Sequence, residues 1–170
     1  MNTFTEILAS FGGKIWMTVT FPIYTLYIVW RNKWKPLHSI SDSYYLLKSK
    51  EQHEEILFTL FTYLLGIGTI LQYPHSFIFF IAGMGFFWVG TQVQFRDEYV
   101  TEKGLIHYIG ALIGIGGAFI GLLLNGIWTP LLSFLILGFL LWGGRKEKGD
   151  FIFWVEILAF LTIITGLWIL

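Results

Sequence analysis

The length, composition and charge of this chain exclude most soluble architectures. Its 170 residues are 55% hydrophobic and only 13% charged, with a mean hydropathy of +0.67. A soluble domain of this size needs a polar outer layer, which so few charged residues cannot provide. The formal net charge of zero argues against a nucleic-acid partner. The absence of cysteine removes disulfides, thiol nucleophiles and Cys-bound zinc.

The apolar residues fall in long runs that predict transmembrane helices. One run, residues 105–124, is broken only by His107, and another, 151–170, has Glu156 as its only charge. About 20 apolar residues match the ~30 Å hydrocarbon core of a bilayer at 1.5 Å per residue. Continuous runs such as 131–142 lack the alternation of a β-barrel strand. We therefore predict an all-α polytopic membrane protein.

Six spans are predicted, and together they form one bundle over residues 1–170. They lie at about 11–30, 54–72, 75–95, 104–124, 126–143 and 150–170, with a cytoplasmic loop at 31–53. Between the fourth and fifth spans, Asn125, Gly126 and Pro130 indicate a tight turn. The stretch before the first span lacks a basic region and a small-residue cleavage site, so we expect a retained span and no signal peptide.

The positive charges predict the orientation of these spans. Ten of the 11 Lys and Arg residues follow spans one, three and five, and only Lys14 lies elsewhere. Basic loops stay on the cytoplasmic side of a membrane. We therefore expect both termini outside, in a chain that sits in the bilayer of a bacterial inner membrane.

Glycines mark one face of the fourth span. Gly110, Gly114, Gly117 and Gly121 recur at spacings of four, three and four, so they share a helix face where another backbone can approach. Gly83 and Gly90 in the third span are candidates for a matching groove. Two interpretations stay open. The glycine face packs inside one bundle, or it joins subunits of a homo-oligomer and lies beside a pore.

Polar residues collect at the predicted cytoplasmic side. Ser41 and Asp42 lie in the first loop, Asp97 follows span three, and His107 lies in the first turns of span four. Ser, Asp and His side chains orient one another when a hydroxyl nucleophile is activated. Histidine nitrogens and carboxylates also bind a zinc-like ion. The candidate ligands are His38, His53, His107, Asp42 and Asp97. Alternatively, the S-x-x-D spacing of Ser39 and Asp42 caps a short helix from Ile40 to about Ser49.

Glu156 is the only charge within residues 151–170, which make up nearly all of the sixth span. It lies about 9 Å along that helix at 1.5 Å per residue. An ionisable group at such a depth is costly and faces the protein interior or water. His107 is the expected partner, and Gln92 and Gln94 are further candidates. This group of residues is predicted to relay protons or to bind a cation, unless Glu156 makes one structural hydrogen bond.

The polar segments of this sequence resemble those of two groups of membrane proteins. The stretch Ser39-Ile40-Ser41-Asp42-Ser43-Tyr44-Tyr45, followed later by Gly104-Leu105-Ile106-His107-Tyr108, resembles a group of uncharacterised small bacterial and phage membrane proteins. The order Ser41 with His38, then Asp97, then His107, is similar to that of the CREST superfamily of membrane hydrolases. That superfamily includes alkaline ceramidases and adiponectin-receptor-like proteins. This second resemblance implies lipid hydrolysis at a zinc site, although the last span lacks the HxxxH motif of that superfamily.

Three functions remain open from the sequence. The first is an oligomeric pore or a transporter of a small solute, ion or proton, with its polar site near the cytoplasmic leaflet. The second is an intramembrane metal hydrolase that acts on lipid. The third is a scaffold or complex subunit that binds another membrane protein and performs no chemistry of its own.

Overall fold

A computed structural model describes residues 4–48, 54–73, 75–91, 101–144 and 150–170. These residues form helices and turns, with no strand among them, which confirms the all-α prediction for this part of the chain. The α-helices are α1 (Phe4–Arg31), α2 (Ser43–Lys48), α3 (Ile56–Ile70), α4 (Phe77–Thr91), α5 (Thr101–Ala111), α6 (Gly117–Leu124), α7 (Thr129–Gly144) and α8 (Phe151–Ile169). A π-helical turn, Leu112–Gly116, joins α5 to α6.

Two helical stretches are long and apolar enough to cross a membrane. They are Leu105–Leu124, which runs through the π-helical turn, and Phe151–Ile169. Three further helices, Ile56–Ile70, Phe77–Thr91 and Thr129–Gly143, are apolar but shorter. By length and composition alone, the two long stretches weakly suggest membrane association. The six-span topology stays a prediction.

Helix α3 packs between α1 and α4, and small residues bring the three backbones close. A Cβ atom added to Gly13 of α1 would lie 2.7 Å from the carbonyl oxygen of Gly68 in α3. A Cβ added to Gly66 of α3 would lie 2.9 Å from the carbonyl oxygen of Gly83 in α4. Ordinary contacts of a Cβ are longer than these distances, so glycine is needed where the helices meet.

The predicted glycine face packs against α4 of the same chain. A Cβ on Gly85 of α4 would lie 2.7 Å from the carbonyl oxygen of Gly110 and 2.9 Å from Cα of Gly114. A Cβ on Gly117 would lie 3.1 Å from Cβ of Ala82, and one on Gly121 would lie 2.7 Å from the Phe79 ring. The face is therefore covered inside the bundle, where a second subunit does not reach it.

The α4 residues opposite this face differ from the two glycines that the sequence suggested. Gly83 and Gly90 lie against Gly66 and Thr62 of α3, whereas Gly85 lies against the glycine face. Two residues advance a helix by about 200°, so Gly83 and Gly85 point to nearly opposite sides. Helix α4 is therefore packed on both sides: Gly83 and Gly90 allow the close approach of α3, and Gly85 allows the close approach of the glycine face.

An aromatic cluster fills the middle of the bundle. The ring of Phe160 in α8 lies 5.2 Å from that of Phe21, 5.7 Å from that of Phe86 and 6.2 Å from that of Phe61, between ring centroids. Helix α7 packs chiefly against α8, and most of its large apolar side chains are exposed. Gly126, with a φ of +76°, forms the turn before α7, as the sequence predicted.

Candidate functional site

The loop between α1 and α2 is attached to the first two turns of α8 by two hydrogen bonds. The amide of Phe153 donates to the carbonyl oxygen of His38 at 3.0 Å. In the other direction, the amide of Ile40 donates to Oε2 of Glu156 at 2.5 Å. Amides in the first turn of a helix have no partner within that helix. The His38 carbonyl therefore accepts from an amide in the first turn of α8, and the Glu156 carboxylate accepts from an amide in the loop.

The serines on either side of Ser41 stabilise the start of α2. The amide of Asp42 donates to Oγ of Ser39 at 3.2 Å, and both residues are buried. Helix α2 begins at Ser43, later than the Ile40 start that the sequence suggested. The Ser43 hydroxyl lies 2.5 Å from the hydroxyl of Tyr24 in α1. Ser39 and Asp42 thus form a local turn before α2. Ser41 lies within this turn, and its hydroxyl faces His107 of α5.

Ser41 and His107 form a hydrogen-bonded pair between the loop and α5. Oγ of Ser41 lies 3.1 Å from Nε2 of His107, and the donor depends on the tautomer of the imidazole. His107 is only 2% exposed. Among the residues that the sequence proposed for chemistry, these two are in direct contact. The pair can pass a proton between hydroxyl and imidazole in either direction.

A cavity of about 100 Å³ lies beside this pair. Its lining brings together the loop, the first turns of α8 and one face of α5: His38, Ser39, Ser41, His107, Tyr108, Ala111, Ile152 and Glu156. One water needs only about 10–15 Å³ of such space. The cavity therefore has room for several waters in contact with the carboxylate, the imidazole and the hydroxyl.

A second, smaller cavity of about 30 Å³ lies deeper in the bundle. It shares Ser41, Ala111 and Glu156 with the first cavity, and its other walls are mainly aromatic and aliphatic: Ile40, Phe58, Phe61, Thr62, Phe86, Val89, Ile115 and Phe160. Ala111 and Ile115 flank or lie in the π-helical turn, a feature frequent at functional sites. Glu156 and Ser41 therefore stand at the boundary between a polar cavity and the aromatic interior.

Glu156 and His107 do not form the direct pair that the sequence predicted. Both side chains line the 100 Å³ cavity, but the carboxylate accepts its hydrogen bond from Ile40 while the imidazole contacts Ser41. The sequence did not suggest Ile40, because its contribution is a backbone amide and does not depend on the type of side chain. The other predicted members Gln92, Gln94, His53 and Asp97 lie outside the described residues.

No metal-binding cluster forms among the residues that the structure describes. Within these ranges, no group of three or more His, Asp or Glu side chains is close enough to hold an ion. His38 and His107 line the same cavity, but the third candidate ligand Asp97 belongs to the part of the chain that is not described. The residues present therefore give no support for a zinc site.

A second polar cluster lies where the N-terminal half of α1 meets the α3–α4 turn. Ser10 donates to Oε1 of Gln72 at 2.7 Å, and its hydroxyl lies 3.2 Å from Nε2 of His75. The Gln72 amide donates to the carbonyl oxygens of Ser10 and Gly68 at 3.0 and 3.1 Å. The sequence alone did not indicate this cluster, because its members are far apart in the chain and match no motif.

Comparison with known proteins supplies no relative for this chain: no family model, curated protein or solved structure matches it.

Proposed function

We propose that this chain is a six-span protein of a bacterial inner membrane that binds a proton at Glu156 and moves it across the bilayer. In this topology both termini lie outside, and the loop that contains Ser41 lies on the cytoplasmic side. The two long apolar helices and the one-sided distribution of Lys and Arg support the membrane placement. Helix α1, with 28 residues, has the length of a span but is not one of the two stretches that are apolar enough by composition.

The position of Glu156 between the two cavities is the observation on which the proposal rests. The carboxylate lines the 100 Å³ polar cavity on one side and the 30 Å³ aromatic cavity on the other. Its one described hydrogen bond, from the Ile40 amide, uses a single acceptor site of the four that a carboxylate offers. A carboxylate in such surroundings has capacity left for a proton or for water, and intramembrane carboxylates of this kind mark proton pathways.

A proton suits this site better than a metal cation. Calcium takes six to eight oxygen ligands and magnesium takes six. Among the residues that the structure describes, the side-chain oxygens that line the polar cavity come from Ser39, Ser41, Tyr108 and Glu156, and Glu156 is the only carboxylate of this set. The Ser41–His107 pair and the carboxylate are instead groups that accept and release protons. Protonation of Glu156 also removes the charge that opposes its contact with the phenylalanine rings.

Movement beyond Glu156 requires a change in the aromatic cluster. Phe61, Phe86 and Phe160 line the inner cavity, and the ring of Phe21 lies 5.2 Å from that of Phe160. Phe21 follows Ser10 by 11 residues along α1, and Phe61 precedes Gln72 by 11 residues along the chain through α3. The aromatic cluster is therefore about 16 Å along these helices from the polar cluster of Ser10, Gln72 and His75. Apolar constrictions gate conduction by excluding water. In the proposed cycle, the cytoplasmic cavity loads Glu156, and transient wetting of the aromatic cluster connects it to His75 on the outer side.

Proton flux into liposomes tests the proposal. Purified protein is reconstituted around a pH-sensitive dye, and a potassium diffusion potential drives proton entry. We expect wild-type flux well above that of empty liposomes and at least a tenfold loss in Glu156→Gln. The amide oxygen of this variant still accepts from Ile40, so the loop stays attached. Glu6→Gln, in the first turn of α1, is the matched control and should keep wild-type flux. Wild-type flux no greater than that of empty liposomes would contradict the proposal.

A second candidate function rests on the contact between Ser41 and His107. A hydroxyl 3.1 Å from an imidazole is the arrangement of a nucleophile and its general base, which favours a lipid hydrolase. The neighbouring amide of Ile40 is already bound to Glu156 and is not free to stabilise an oxyanion. Labelling with a fluorophosphonate distinguishes this function: a hydrolase is labelled in the wild type and not in Ser41→Ala, whereas a proton carrier is labelled in neither.

A further inference from the structure

An apolar groove runs along the outer side of the contact between α1 and α3. Its volume is about 380 Å³, and Trp16, Ile23 and Tyr27 of α1 face Leu57, Leu60 and Leu64 of α3 across it. Ile23 is 62% exposed and Leu60 is 51% exposed. The groove is therefore an open channel of apolar surface on the outside of the helix pair, and Phe61 is the one lining residue that it shares with the inner cavity beside Glu156.

The length of the groove matches one leaflet of a bilayer. Trp16 and Tyr27 mark its two ends on α1, which are about 16 Å apart at 1.5 Å per residue. Half of a ~30 Å hydrocarbon core is about 15 Å. An extended hydrocarbon chain that starts at the membrane surface would therefore be covered over the depth of its own leaflet.

An ion pair lies beside the Tyr27 end of the groove. Tyr27 donates to Oε2 of Glu54 at 2.9 Å, and Nε of Arg31 donates to the same oxygen at 2.9 Å. The guanidinium neutralises the carboxylate, so no unpaired negative charge of this cluster repels an anion there.

Beyond this ion pair, a rigid turn displays two lysines. Lys33 and Lys35 are both exposed. The turn is unusual, because Lys33 and Trp34 have φ values of 57° and 62°, a region that costs energy for residues other than glycine. The Asn32 side chain holds it by donating to the carbonyl oxygens of Lys35 and Pro36 at 3.0 and 3.2 Å. The turn therefore fixes positive charge just past the end of the groove.

We propose that this groove binds an anionic phospholipid of the cytoplasmic leaflet, with one acyl chain between α1 and α3 and the phosphate beside Lys33 and Lys35. The apolar groove matches the acyl chain of such a lipid in length and chemistry. The two lysines beyond its end match the negatively charged headgroup. The proposal rests on the membrane placement of α1 and α3 given under the proposed function, and it is independent of proton movement.

Native mass spectrometry tests this lipid site. The protein is extracted in mild detergent from bilayers with equal amounts of phosphatidylglycerol and phosphatidylcholine. We expect one tightly retained phosphatidylglycerol per chain. One lysine near a membrane surface changes affinity for an anionic lipid by about fivefold, so the double variant Lys33→Gln/Lys35→Gln should bind about 30-fold more weakly. Leu60→Trp, which places a bulkier side chain in the middle of the groove, should release the lipid.

Two control variants isolate the groove from general effects of charge and bulk. Lys14→Gln removes a lysine from the N-terminal half of α1, and Leu135→Trp adds bulk to an exposed position of α7. Both should retain the lipid. Equal retention of the two lipids by the wild type, or unchanged binding in the double variant, would overturn the site. A wild-type dimer that Leu60→Trp dissociates would overturn it by assigning the groove to a second copy. Loss of proton flux with the lipid retained would refute only the proposed function.

Discussion

Gly85→Ala should push α4 away from the glycine face formed by the end of α5 and the π-helical turn. The new Cβ would lie nearest to the backbone nitrogen of Gly114 and 2.7 Å from the carbonyl oxygen of Gly110, where ordinary contacts begin at 3.4 Å. Because both contacting groups are backbone and the nitrogen is the nearer of the two, α4 must move away by more than about 0.7 Å. Overpacking of this kind costs about 1–3 kcal/mol.

Gly138→Ala is the control for Gly85→Ala, because it measures how much alanine stabilises a helix relative to glycine when no clash occurs. Alanine is favoured over glycine in a helix by about 1 kcal/mol, and this term is common to all Gly→Ala changes in helices. Gly138 in α7 has nothing within 4 Å of an added Cβ, so Gly138→Ala contains only that term. The difference in free energy of unfolding between the two variants should therefore be about 1–3 kcal/mol. Circular dichroism during titration of detergent micelles with dodecyl sulfate measures it. Equal free energies of unfolding for both variants would refute the packing that we describe.

Two further predictions concern the polar residues. Glu156→Ala removes the acceptor of the Ile40 amide, so it should lower the free energy of unfolding by about 1–3 kcal/mol and speed hydrogen exchange at Ile40, whereas Glu156→Gln should do neither. Ser41→Ala removes one hydrogen bond to His107, and unfolding titrations should show a loss of about 1 kcal/mol.

A different outcome would contradict each of these two predictions. Equal hydrogen exchange at Ile40 in Glu156→Ala and Glu156→Gln would show that the carboxylate does not hold the loop. Unchanged stability in Ser41→Ala would show that the contact between Ser41 and His107 does not stabilise the fold.

The sequence predicted the helical class and the main helices because both depend on local information. Runs of apolar residues specify helices at about the right positions, and the turn at Gly126 was evident from its residue type. The pairing of helix faces was only partly predictable. The spacing of Gly110 and Gly114 showed that they share a face, but nothing local showed that Gly85, and not Gly83, lies opposite.

The candidate site was predictable in its members but not in its contacts. Glu156 and His107 stood out because ionisable groups are costly in apolar helices. Their partners depend on a loop that returns to α8, and the partner of Glu156 is a backbone amide, which every residue except proline has. The same reasoning explains why Ser10, Gln72 and His75 were missed, since 62 residues separate the first two along the chain.

Infrared difference spectroscopy tests the central claim, that Glu156 takes up a proton, most directly. The protein in bilayers is compared between alkaline and acidic buffer, and the carbonyl stretch of protonated carboxylic acids is recorded. We predict a band on acidification that disappears in Glu156→Gln and persists in Glu6→Gln. A wild-type spectrum whose carboxylic-acid bands are all unchanged by Glu156→Gln would contradict proton binding at this residue.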